Sequence, residues 1–112
     1  MRIRLSLALA SVLFGCGRAA DRAPATEPQL DARLARANLT ICATCHARGG
    51  TGAPLVGDEQ AWRRRRAQGF EVLVAHTVNG WRGMPPLGTC GACSEADLRA
   101  LVAYVARAAE AP

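Results

Sequence analysis

Residues 42–46 read Cys-Ala-Thr-Cys-His, and this pentapeptide decides the fold. On a helix, positions i, i+3 and i+4 lie one above another on a single face. Cys42, Cys45 and His46 have that spacing, so both thiols and the imidazole project from one side. Two such thiols can bond the edge of a porphyrin while the imidazole beside them meets the iron. C-x-x-C-H is accordingly the attachment signature of a c-type haem. The competing readings are a chance pentapeptide and a redox C-x-x-C beside an unrelated histidine.

Outward from this motif the chain reads as helices joined by loops. Upstream, Leu30, Leu34, Ala37 and Ile41 fall on one helical stripe. Downstream, Asp58 after Gly57 can cap a second helix that ends at Gly69. A third runs from Phe70 to Asn79, with Phe70, Leu73, Val74, Thr77 and Val78 on its inner face and Gly80 as its stop. The last starts at Ser94, with Asp97 three residues on in a capping-box pattern, and carries the stripe Leu98, Leu101, Val102, Val105 and Ala109. No alternating strand pattern of useful length is present. The expectation is an all-α domain of about four helices with two long loops, 49–57 and 80–93. Long loops in a compact domain tend to be functional.

The chain has 112 residues, half of them hydrophobic and 21% charged, which suits one globular domain. Such a domain buries roughly 60% of the surface its unfolded chain exposes, so the core is thin. With five aromatic residues in all, a metal, disulfides or a large cofactor should supplement it. The formal charge is +5, every basic residue is Arg, and no run of about 18 apolar residues exists to span a membrane.

The start of the chain reads as a targeting segment. Arg2 and Arg4 precede the apolar run Leu5 to Phe14, which has the length of a signal h-region. The run ends Leu13-Phe14-Gly15-Cys16, similar to a bacterial lipobox, although Phe14 is larger than that pattern prefers. The expected organisation is therefore a lipoprotein-type signal peptide over 1–15, a lipid-anchored flexible tether over 16–28 and a monohaem domain over 29–112. The alternative is ordinary cleavage after Ala19. Both routes export the protein and place its thiols in an oxidising compartment, the bacterial periplasm. Loss of Arg2 and Arg4 would leave a charge of +3, which with export gives little support to nucleic-acid binding.

A haem iron in an electron carrier needs a second protein ligand besides His46. Met84, in Gly83-Met84-Pro85-Pro86, is the single Met after the leader, and two prolines stiffen the backbone behind it. His76 is the other candidate, and helical arithmetic sets it off the inner face, near the rim or solvent. Met84 is the expected sixth ligand.

These residues, with Gly52-Ala53-Pro54-Leu55 and Leu101-Val-Ala-Tyr-Val105, resemble a class I c-type cytochrome. The extra Cys90-Gly-Ala-Cys93 is similar to the bacterial cytochrome c-five group. The resemblance covers residues 30–108 and implies a small fold with crossing first and last helices around one covalent haem c with its iron. It also implies a one-electron carrier between redox proteins, working as a monomer rather than an enzyme. Pro54 matches the loop proline whose carbonyl accepts from the axial histidine, and a Cys90–Cys93 disulfide is implied as well. Cys16 is then the odd thiol, and lipidation accounts for it.

Two other functions compete. A small haem peroxidase or gas sensor would need an open sixth position and a distal acid–base group, for which His76 is badly placed. A zinc module built from Cys42, Cys45, Cys90 and Cys93 has too wide a gap between its pairs and leaves His46 unexplained. Arg63 to Arg66 cannot form one flat patch, because side chains advance about 100° per residue around a helix. Arg65 and Arg66 share a side with Trp62 and could reach a haem propionate or an acidic partner. Trp62 and Trp81 are expected to pack around the haem.

Overall fold

A computed structural model describes residues 27–108. The leader, Cys16, most of the tether and Ala109 lie outside that range. Within it the chain is helical, with a single isolated bridge, Trp81 to Met84, and no named strand.

The first helical rod comprises α1 (Ala32–Ala37), a π-helical turn (Asn38–Cys42) and α2 (Ala43–His46) in unbroken succession. Asp31 caps its start, accepting from the Leu34 N–H at 2.7 Å. In the π turn the Ala43 N–H reaches back to the Asn38 carbonyl instead of the usual carbonyl four residues back. Thr40 contributes by bonding its hydroxyl to the Arg36 carbonyl at 3.0 Å, a local bond that competes with the helical ladder. The inserted residue rotates everything after it relative to Leu34. Leu34 is buried, Ala37 and Ile41 are half-buried, and Asn38 turns inward where the simple stripe had placed no residue.

α3 (Glu59–Arg66) is capped by Asp58, which accepts from the Ala61 N–H at 3.0 Å. It stops at Arg66 and not at Gly69. Gly69 instead adopts φ 99°, outside the helical range, and starts α4 (Phe70–Asn79) as its N-cap. α4 has the expected bounds and ends at Gly80. Phe70, Leu73 and Val74 are buried on its inner face, with Thr77 and Val78 half-buried. α5 (Glu95–Ala106) carries the full capping box, Ser94 accepting from the Asp97 N–H at 3.2 Å and Asp97 from the Ser94 N–H at 2.9 Å.

α4 packs on α5, and their apolar faces close with Trp62 over a core of Leu73, Val74, Val102, Val105 and Ala106. The first rod meets α5 at Arg33, which pairs with both Asp97 oxygens. Cys90 and Cys93, just ahead of the Ser94 cap, are joined in a disulfide. That bond removes the thiols a four-cysteine zinc site would need.

Candidate functional site

The C-x-x-C-H run occupies the last turn of the first rod. His46 is buried, Cys42 half-buried and Cys45 exposed. Both cysteines are free thiols. Burial pushes the Cys42 thiol above the ordinary range, partly offset by a backbone hydrogen bond.

Loop 49–57 fixes the histidine. The His46 Nδ1 lies 2.7 Å from the Pro54 carbonyl oxygen. A carbonyl can only accept, so Nδ1–H donates and the lone pair resides on Nε2. The loop is itself tied down. The Val56 N–H donates to the His46 carbonyl at 2.9 Å, and the Thr51 hydroxyl to the Cys45 carbonyl at 3.0 Å. Trp62 Nε1 donates to the Leu55 carbonyl at 2.7 Å, and its ring stacks on His46 with centroids 5.9 Å apart. The imidazole is held at one edge and along one face.

Cys42, Cys45, His46 and Met84 all line one cavity of about 360 Å³. A separate, smaller hollow of about 40 Å³ is lined by Leu98, Leu101, Val102 and Val105 and shares Cys42 and His46 with the first. Met84 enters from the loop after α4. The Trp81 and Met84 backbones exchange two hydrogen bonds, at 2.9 and 3.0 Å, closing a tight turn through Arg82 and Gly83. Arg82 takes φ 54°, Leu87 57° and Thr89 73°, all left-handed and costly for residues with a Cβ. Such strain concentrates where a site must be held in one geometry. Gly80 passes so close that a Cβ there would sit 2.9 Å from the Pro86 nitrogen and 3.0 Å from the Met84 carbonyl oxygen.

The tryptophans are placed as the sequence suggested, both lining the cavity. His76 also lines it, half-buried, with its ring stacked on Trp81 at 4.6 Å. Its off-stripe position on α4 is what brings it to this rim. Arg65 and Arg66 part company: Arg65 lines the cavity, whereas Arg66 donates to the Ala106 carbonyl at 2.9 Å and pairs with Glu59. Arg82 and Gln68 are further lining residues that carried no sequence signal.

The donor set fits a haem. A mostly apolar slot bears two free thiols and an imidazole with its outer nitrogen already occupied, and a thioether enters from a separate segment. An all-α shell around such a slot is the architecture of a class I c-type cytochrome. The chain belongs to the family described as cytochrome c oxidase, cbb3-type, subunit III, whose model matches residues 29–105. It is 42% identical to cytochrome c5 of Ectopseudomonas mendocina over 60 residues, 52% of this chain and 69% of that one. It is 43% identical to cytochrome c-555 of Chlorobaculum tepidum over 68 residues, 57% of this chain and 63% of that one. A chain in the crystal structure of an electron-transfer complex of nitrite reductase with cytochrome c superposes with a TM-score of 0.63 at 43% identity, covering 73% of this chain and all of that one. The family carries covalently bound haem c with its iron, and its members of this size are electron carriers that work with redox partners.

Proposed function

We propose that Cys42 and Cys45 would hold the haem through thioether bonds and that His46 and Met84 would ligate its iron. Bound haem c supplies a one-electron ferrous–ferric couple. The chain's own residues do the rest. Pro54 holds the His46 Nδ1 proton, which leaves the Nε2 lone pair as the one that would ligate. Trp62 keeps the imidazole plane fixed. The Trp81–Met84 turn presents a thioether, a weak donor that favours the ferrous state and so a positive potential. With His46 and Met84 both committed to the iron, the chain would leave no open position for a substrate and would pass an electron without making or breaking a bond. The observation that carries this reading is that Met84 and His46, from separate segments, line one cavity.

The carrier acts in the bacterial periplasm between a reductase and an oxidase of a respiratory chain, anchored as a lipoprotein through Cys16. One acyl chain anchors only marginally, so a mature N-terminus at Cys16 with two or more chains is expected. Intact mass of the native protein checks this, and an unmodified N-terminus at Ala20 would overturn it. The ligand assignment is tested with Met84→Ala. The expected result is a lower potential, an altered ferric spectrum and rapid binding of added cyanide or imidazole. A variant with wild-type potential and spectrum would remove Met84 as the ligand and move the reading toward His76 or an open, enzyme-like site.

A further inference from the structure

Four arginines within residues 27–108 have carboxylate partners: Arg33 with Asp97, Arg66 with Glu59, Arg99 with Glu71 and Arg107 with Glu27. Arg65 has none among these residues, yet it is half-buried and lines the cavity. It sits one turn along α3 from Trp62, the ring that stacks on His46. Its Nη1 donates to the Ala61 carbonyl of its own helix at 2.5 Å, which occupies one of five N–H donors. Arg65 therefore keeps most of its donors for an anion entering the largely apolar cavity it lines. Haem carries two carboxylates of its own, its propionates.

We propose that Arg65 receives one of these propionates and, by doing so, raises the reduction potential. The inference rests on the haem attachment proposed above. An uncompensated carboxylate near the iron stabilises the ferric, more positive state. A guanidinium on that carboxylate offsets its charge and favours reduction, and the planar fork suits a carboxylate better than an ammonium does. Arg66 is not available, being bound to Ala106 and Glu59. Arg82 is the rival, since it also lines the cavity. It is exposed, however, and its guanidinium already lies 4.3 Å from the Trp81 ring centroid, where the aromatic face serves it.

The test is a redox titration of haem-loaded wild type, Arg65→Lys, Arg65→Gln, Arg63→Gln and Arg82→Gln. The potential is expected to fall part-way in Arg65→Lys, which keeps the charge and loses the fork, and further in Arg65→Gln. Arg63 is exposed on the same helix, and Arg63→Gln changes the net charge identically, so it should leave the potential near wild type. Should Arg65→Gln not retain haem, the partial fall in Arg65→Lys still carries the test. An equal fall in Arg63→Gln would reduce the effect to net charge. A fall in Arg82→Gln with none in either Arg65 variant would transfer the propionate to Arg82. A wild-type chain without covalent haem would instead overturn the attachment itself, whereas an unchanged potential in fully loaded Arg65→Gln overturns only this pairing.

Discussion

Gly80 shows how single atoms set the ligand loop. It has φ 80°, and a Cβ would meet backbone atoms of Met84 and Pro86 at 2.9–3.0 Å. Backbone, unlike a side-chain tip, cannot swing aside. Gly80→Ala should therefore cost about 1–3 kcal/mol of stability and shift Met84 off its position. Thermal unfolding of the haem-loaded protein should show the loss, and ferric variant protein should bind cyanide faster than wild type. The glycine was legible in the sequence as a helix stop, but its close approach to the Met84 turn was not, because that contact joins residues which periodicity cannot relate. Met84, Pro54 and the C-x-x-C-H triplet were legible for the opposite reason. The chemistry proposed for them rests on residue type and local spacing, and the structure puts them around one cavity.

The helices were legible wherever capping and periodicity agreed. Asp58 and Ser94 both cap as expected, and α4 has the expected ends. The π turn at Asn38–Cys42 was not, since one inserted residue breaks the 3.6 period on which a stripe is read. The first rod and α5 are linked by charge, and this makes an acid-sensitive joint. Hydrogen bonding from Arg33, with the Ser94 N–H, holds the Asp97 carboxyl well below the usual carboxylate range. A carboxyl depressed in the folded state contributes stability above its unfolded pKa, about 3.9 for Asp, and loses it as pH falls through the folded value. The Glu71 carboxyl is likewise lowered by Arg99, which bonds it at 2.7 and 2.9 Å. Arg33→Gln should leave an unfolding temperature less sensitive to acidification below about pH 4 than wild type has. The difference should shrink in high salt, which screens an exposed arginine. Equal acid limbs for the two proteins would show that the joint contributes nothing.

For the molecule as a whole, the decisive quantity is the size of its cavity relative to its core. The core beneath it is built from Trp62, Phe70 and the apolar faces of α4 and α5. The cavity of about 360 Å³ is open at its mouth, so a chain that does not fill it sets water against apolar walls and forgoes the contacts a filled one makes there. The whole stability of a native domain is about 5–15 kcal/mol. A chain that cannot fill this space should therefore lose most of its cooperative fold. The Cys90–Cys93 disulfide cannot rescue it, since a ring this short constrains little unfolded chain and contributes less than the usual 2–4 kcal/mol or so. The matching expectation concerns the Cys42→Ala/Cys45→Ala double variant, in which no thioether can form. It should emerge without covalent haem, with reduced helix content by circular dichroism and a broad, early thermal transition. Cys42 is also half-buried against the core, so part of any loss could come from packing alone. Comparing the double variant with wild-type chain produced without haem isolates that part, because both lack the cofactor and only one lacks the thiols. If the double variant is as helical and heat-stable as the haem-loaded protein, the cavity is not the weak point of the fold. The helices would then hold together through the α4–α5 core and the Arg33–Asp97 joint without the cofactor.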